Sequence, residues 1–148
     1  MKKILGLFLF LFLAGCQSER PQKLGIHGAQ LYPCSEKPHC RSSYSAQKDE
    51  KHYIKPLRMI ESKELAYKKI QGILSKYKSA KIIKMDPSYI HAEFTSSIFK
   101  FIDDIEFHFV WEKKMIHIKS SSRIGYWDLG SNKKRIEEIK FKYYQNDF

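Results

Sequence analysis

The residues whose types and spacing could support a reaction are two neighbouring aspartates, Asp103 and Asp104, and Arg123. The aspartates precede one alternating apolar run and Arg123 follows the next, so a hairpin turning at 112–114 would bring residues near 104 opposite residues near 122. Two carboxylates can act as general acid and general base when their surroundings separate their pKa values, which gives a hydrolase as one hypothesis. Adjacent residues of a strand point to opposite faces, so only one aspartate can share a pocket with Arg123. An ion pair that fixes the hairpin register is the favoured interpretation.

The stretch from 120 to 135 could also bind an anion. Two glycines permit tight turns there, and Ser131 or Asn132 could cap a helix whose free N–H groups would lie beside several cations. The candidate ligand-binding residues are Ser120, Ser122, Arg123, Asp128, Asn132, Lys133 and Arg135. In the alternative interpretation, which is favoured, Asp128 and its polar neighbours in the helix satisfy these N–H groups and Trp127 packs in the core.

The first sixteen residues look like an export signal. A positive start, Met1-Lys2-Lys3, precedes an uncharged run of twelve residues, Ile4 to Gly15, and then Cys16. As a helix the run would reach only about 18 Å at about 1.5 Å per residue, well short of the roughly 30 Å hydrocarbon core of a bilayer. The sequence Leu-Ala-Gly-Cys resembles a bacterial lipoprotein signal, which implies cleavage before Cys16 and lipidation of its thiol.

This interpretation sets the predicted domain organisation and location. We expect a signal peptide at 1–15, the lipidated Cys and a flexible tether at 16–30, and a single domain at 31–148. The protein would be held at a membrane outside the cytoplasm by its lipid anchor. Gln17 directly after the Cys resembles lipoproteins sent to the outer membrane, where the domain would face the periplasm.

The two other cysteines, Cys34 and Cys40, are six positions apart. In an oxidising compartment a structural disulfide between them is favoured. A metal site with His39 and His52 and a redox-active pair are the alternatives. Zinc-binding cysteines are usually spaced more closely, and redox pairs are separated by two residues. No metal or cofactor is predicted.

Composition and net charge limit the classes of partner that the chain could bind. The chain has 148 residues with 43% hydrophobic and 14% aromatic residues, which is typical of one folded domain and excludes a disordered chain. The net charge is +11, but lysines are scattered along the sequence and the export signal excludes nucleoid DNA, so no nucleic acid is predicted. Anionic lipid headgroups or acidic envelope polymers are better partners for this charge, and a solvated surface without a specific partner is the default interpretation.

Apolar periodicity predicts the elements that position these residues. Residues 62–77 indicate a helix with Ser62 as its N-cap, and the helical pattern returns from Ser131. Between them, the predicted strands are 80–85, 89–95 and a hairpin of 105–111 with 115–119, which would leave His108 and His117 on an exposed face. The predicted fold is α+β, an antiparallel sheet of about four to five strands with two helices packed on one face.

Several ordered stretches resemble the bacterial lipoprotein family catalogued as domain of unknown function 1499. The similarity spans roughly Pro33 to Tyr143, and it is carried by Pro33-Cys34, Cys40-Arg41-Ser42-Ser43, residues 99–107 and residues 120–137. Ser35, His39 and Arg41 depart from the family's loop pattern. The resemblance implies an envelope lipoprotein but no reaction.

These observations together predict a non-enzymatic binding or accessory module for an anionic envelope component or a partner protein. A hydrolase that uses Asp103 or Asp104 with Arg123 is the alternative.

Overall fold

The computed structural model describes residues 19–145, so the predicted signal peptide and Cys16 lie outside the described residues. Two α-helices and eight strands, with a single 3₁₀ turn at Trp111–Lys113, form the described chain. The helices are α1 (Lys63–Ser75) and α2 (Ser131–Tyr144), and the strands are β1 (Ile26–His27), β2 (Gln30–Leu31), β3 (Arg41–Ser42), β4 (Leu57–Arg58), β5 (Ala80–Asp86), β6 (Tyr89–Thr95), β7 (Ile102–Val110) and β8 (Met115–Ser122). Among residues 19–145, neither helix has the length and hydropathy that a membrane span needs.

The main sheet is antiparallel and runs in the order β3-β8-β7-β6-β5, with β4 also paired to β8. The α+β class and the antiparallel sheet are therefore confirmed. The expected number of strands is too low, because six strands pair instead of four to five. β3 and β4 have two residues each, and such short strands show no periodicity in a sequence.

The two predicted helices are confirmed, and both contribute to the core. Ser62 caps α1 by accepting the N–H of Leu65 at 3.3 Å. The core cluster combines buried side chains of the two helices with those of the central strands. Its members include Ile70, Ile73, Leu74, Ile136, Ile139 and Tyr143 from the helices and Ile90, Ile105, Phe107, Phe109, Ile116 and Ile118 from the sheet.

The other face of the sheet is also covered, which corrects the expected exposed hairpin face. The ring of Tyr44 stacks on His117 at 3.8 Å between ring centroids, and the Tyr44 hydroxyl lies 2.7 Å from Nδ1 of His108. The Ser43 hydroxyl lies 3.0 Å from Nδ1 of His117. The segment before α1 thus folds back over the sheet and covers a face that sequence alternation assigns to solvent.

Part of the stretch predicted as a flexible tether contacts the domain. β1 and β2 form a small hairpin, and the N–H of Gly25 donates to the buried carboxylate of Glu106 at 2.6 Å. Arg20 pairs with Glu93 on β6 at 2.7 Å. The chain therefore follows the sheet from residue 20 onward.

Acid is expected to destabilise the fold through His117. Burial, and then the nearby His108, lowers the pKa of His117 to about 4 from its ordinary 6.5. The unfolded chain binds a proton below pH 6.5 and the folded state does not, so this stability is complete above pH 6.5 and is lost as the pH falls towards 4. Urea unfolding of the wild type between pH 7 and pH 4 measures how steeply the free energy of unfolding changes with pH, and this is the slope compared below.

The variant His117→Gln is neutral at every pH and should show a smaller slope in this window. His27→Gln, at an exposed position away from the contacts of Tyr44 with His108 and His117, should keep the slope of the wild type. Equal slopes for His117→Gln and the wild type would show that His117 is not held neutral.

Candidate functional site

Arg123, directly after β8, is at the centre of a buried ion-pair network. Its Nε and Nη2 donate to the two oxygens of Asp104 at 2.8 and 2.7 Å, a bidentate pair in which both side chains are about 5% exposed or less. Arg123 also donates to Glu93, which receives Arg20 from the N-terminal segment. The expected ion pair across the hairpin is thus present, and Asp104 is the aspartate that forms it.

A histidine completes the cluster. His91 Nε2 lies 2.7 Å from Asp104 Oδ1, and both side chains are 4% exposed. His91, Glu93 and Asp104 place one ligand atom each within 4.8 Å of one another, a spacing that a metal ion can bridge. Arg123 already donates to both carboxylates, so a guanidinium supplies the positive charge at this position.

The pairing keeps the carboxylates ionised. Burial alone raises the pKa of Asp104, but the hydrogen bonds from Arg123 and His91 outweigh burial and hold this pKa below its usual range. The same balance, with Arg123 and Arg20 as donors, lowers the pKa of Glu93. Asp104 lines the cleft beside the disulfide loop as a charged partner of Arg123 at neutral pH, and it is unsuited to donate a proton as a general acid.

Asp103 faces the other side of the sheet. It pairs with Arg135 of α2 at 2.6 Å, and the guanidinium of Arg135 lies 4.7 Å from the ring centroid of Phe94. The two aspartates therefore have separate arginine partners on opposite faces. The acid–base pair that the hydrolase hypothesis needs is not assembled from them.

The predicted ligand-binding residues near α2 mostly contact one another. Asn132 is buried and bonds to Ser120 at 2.5 Å and to Ser122 at 2.9 Å. Asp128 accepts the N–H groups of Gly130 and Asn132 at 3.0 and 2.8 Å. The carboxylate of Asp128 thus satisfies N–H groups at the start of α2, as one of the two interpretations predicts.

The structure also settles the cap of α2 and the positions of Trp127 and Lys133. Residue Gly130, at φ 78°, is the N-cap and no side chain of the cap position bonds there, so neither Ser131 nor Asn132 caps the helix. Trp127 is 68% exposed, so the expectation that it packs in the core is wrong. Lys133 is exposed and lies 3.9 Å from Glu137.

The predicted disulfide between Cys34 and Cys40 is present, with 5.6 Å between the Cα atoms. Its loop lies beside a cleft of about 480 Å³ on the polar face of the sheet. The floor of the cleft includes Glu106, which is 1% exposed and pairs with Lys119 at 3.1 Å. Because both thiols are oxidised, the alternative metal site with His39 and His52 lacks its thiolate ligands.

A second depression lies at the end of the sheet where β6 ends and β7 begins, and sequence reasoning missed it. We call it the basic groove. It has a volume of about 710 Å³ and is lined by Lys78, Ser79, Ala80, Lys81, Phe94, Thr95, Ser96, Ser97, Lys100, Asp103, Ser131 and Arg135. Four cations and several hydroxyl groups from three separate segments meet there, and the acidic residue of the lining, Asp103, is paired with Arg135.

Comparison with protein families then places the chain. Its sequence matches the family described as "Protein of unknown function (DUF1499)" over residues 30–142. The chain belongs to this family. Searches among curated proteins and among solved structures find no significant match.

The DUF1499 region covers the parts of the molecule described above. It contains the disulfide loop, the six strands of the main sheet and most of α2. The family description names no activity, so the functional argument depends on the geometry of the network, the cleft and the basic groove.

Removal of the central guanidinium should strongly destabilise the DUF1499 domain. Arg123→Met leaves Asp104 buried beside Glu93 without its main partner, and we expect a loss of about 3–5 kcal/mol in the free energy of unfolding. Chemical denaturation of purified protein measures this loss. Lys113→Met removes an exposed cation of the β7–β8 turn and should change stability by less than about 0.5 kcal/mol.

A double-mutant cycle tests whether the pair acts as a unit. Asp104→Asn combined with Arg123→Met should lower the free energy of unfolding by less than the sum of the two single changes. Each single change is costly mainly because it leaves the other partner charged and unpaired inside the protein. Additive losses would contradict the central role of the pair.

Proposed function

We propose that the protein is a lipid-anchored domain of the bacterial cell envelope that acts as a non-enzymatic binding or accessory module for an anionic component. The observation that carries this proposal is the basic groove. Lys78, Lys81 and Lys100 are exposed along it. The carboxylate of Asp103 is neutralised by Arg135 at 2.6 Å. The groove therefore presents a positive potential to solvent.

The polar groups of the groove suit phosphate or carboxylate oxygens. Four serines, which can donate hydrogen bonds, line it together with the cations: Ser79, Ser96, Ser97 and Ser131. Ser131 is also the first residue of α2, so the groove combines donors from a helix with donors from the strand ends. Ammonium and hydroxyl donors from different elements are the usual means of holding an anion.

Export is supported by the cysteines. A disulfide such as Cys34–Cys40 persists in oxidising compartments and is rare in the cytosol. The leader ends at Cys16 in the pattern of a lipoprotein signal. Two or three acyl chains on this residue would hold the domain firmly at a bilayer, and Gln17 favours the outer membrane, with the domain in the periplasm.

The arrangement of the carboxylates favours binding over hydrolysis. Asp103 and Asp104, the residues of the hydrolase alternative, lie on opposite faces with separate arginine partners. The hydrolase alternative is left with Asp104 and Arg123, and a carboxylate kept ionised in a bidentate pair is unsuited to donate a proton to a leaving group.

The anchor predicts a specific mass for the mature protein. Protein purified from native membranes should begin at Cys16 and carry a diacylglycerol and, where the host adds it, an N-linked acyl chain. The same spectrum should show Cys34 and Cys40 two hydrogens lighter than free thiols. Intact Met1 with three free thiols would contradict the proposal.

The groove predicts salt-dependent retention on polyanions. Replacing Lys78, Lys81 and Lys100 by Gln should weaken binding of the full chain, in neutral detergent, to immobilised polyanion by roughly 100-fold, if each cation contributes about 1 kcal/mol near an anionic surface. The matched control replaces Lys63, Lys68 and Lys113, which are exposed and lie near the opposite end of the sheet.

Both triple variants lose the same net charge. Equal weakening by the two would show that binding follows net charge alone and would exclude the groove as the site. The elution salt concentration of each variant gives the comparison directly.

A further inference from the structure

Large apolar side chains are exposed on two loops of the domain, which we call the apolar loops. The first, residues 96–101 between β6 and β7, exposes Ile98, Phe99 and Phe101 by 79%, 72% and 50%. The second, residues 123–130 between β8 and α2, exposes Ile124, Tyr126, Trp127 and Leu129 by 41%, 67%, 68% and 79%. A soluble domain rarely concentrates so many apolar side chains on neighbouring loops without a contact to make.

The apolar loops leave the same end of the sheet. The N–H of Arg123 donates to the carbonyl of Ile102 at 3.1 Å, which joins the start of the second loop to the end of the first. The strands pair Asp103 with Ser122 next to this contact. The basic groove includes Ser96, Ser97 and Lys100 of the first loop, so cations border the apolar side chains.

Backbone strain marks both loops. Lys100 and Leu129 adopt left-handed conformations with φ of 56° and 54°, a backbone region that residues other than glycine rarely occupy. Such strain persists where the surrounding structure or a function holds it. In Leu129 it accompanies one of the most exposed apolar side chains of residues 19–145.

The path of the chain brings the proposed anchor to this end. Arg20 pairs with Glu93 at 2.7 Å, and Glu93 lies two residues before the end of β6. Arg20 is four residue steps from Cys16, so acyl chains on Cys16 would begin within about 14 Å of Arg20, at about 3.5 Å per step. The tether is too short to place the apolar loops far from the bilayer.

We propose that this end of the sheet docks on an anionic bilayer. The aromatic and aliphatic side chains of the apolar loops enter the interface, and the basic groove binds the phosphates of anionic lipid headgroups. Trp, Tyr and Phe favour the interfacial zone, and neighbouring lysines add attraction to anionic lipid. The inference rests on the proposed function and deepens it, because it names the anionic component as the lipid surface and fixes the orientation of the domain.

The two tryptophans of the chain test this orientation. Trp127 lies on an apolar loop, and Trp111 lies at the β7–β8 turn at the opposite end of β8. Trp111→Phe leaves Trp127 as the reporter, and Trp127→Phe leaves Trp111. The full-length protein, reconstituted into phosphatidylglycerol-rich vesicles with brominated acyl chains, should show several-fold stronger quenching and a larger blue shift for Trp127. Equal quenching, or stronger quenching of Trp111, would overturn the proposed orientation.

Two further measurements separate docking from anchoring and from protein partners. Mass spectrometry of each reconstituted protein reports lipid on Cys16 independently of quenching. Lipidated protein without Trp127 quenching rejects docking and keeps the anchor, whereas quenching without lipid on Cys16 keeps docking and rejects the anchor. A soluble oligomer that shields Trp127 from an aqueous quencher in the absence of vesicles would show a second copy on the apolar loops, and would overturn lipid docking.

Phe99→Ser serves as a second variant that removes exposed apolar area without touching either tryptophan. It should weaken the Trp127 response in the Trp111→Phe background while the thermal midpoint stays unchanged. Ile60→Ser, also at an exposed position and outside the apolar loops, is the matched control and should leave the response intact. An unchanged response in Phe99→Ser would overturn the role of the first loop.

Discussion

The bidentate pair of Arg123 with Asp104 is the interaction on which the rest of the domain depends. Both faces of the central strands are buried, so one face carries charges that must be matched inside the protein. Arg123 joins β7 to the end of β8, and through Glu93 it reaches β6 and Arg20. A single guanidinium therefore links three strands directly and the N-terminal segment through Glu93, and the loops at this end of the sheet begin directly beside it.

Much of the fold follows from periodicity, and the failures have clear physical reasons. The repeats of α1 and α2 and the alternation in β7 predict the main elements because each buries a regular apolar stripe. The two-residue strands β3 and β4 are too short for any pattern. His108 and His117 look exposed in sequence because the covering residue, Tyr44, lies more than sixty positions away and makes its contact only in the folded chain.

The sequence locates the important polar residues but not the grouping that they adopt. Strand alternation correctly indicates that a single aspartate meets Arg123, while the choice of Asp104 depends on the register of the hairpin. The basic groove could not be foreseen, because Lys78, Lys81 and Lys100 look scattered until β5, β6 and β7 align their ends. Residue type alone favours the core for Trp127, but the loop before α2 leaves its side chain in solvent.

If Cys16 is lipidated as proposed, the contact between Arg20 and Glu93 also changes how often the domain meets the membrane surface. Without this salt bridge the next hydrogen bond to the sheet is that of the Gly25 N–H, nine residue steps from Cys16; with Arg20 held, the distance is four steps. Effective concentration at a tethered surface falls roughly as the −3/2 power of linker length, so this salt bridge would raise it roughly threefold. A weak individual contact with the surface could then suffice, because encounter has become almost intramolecular.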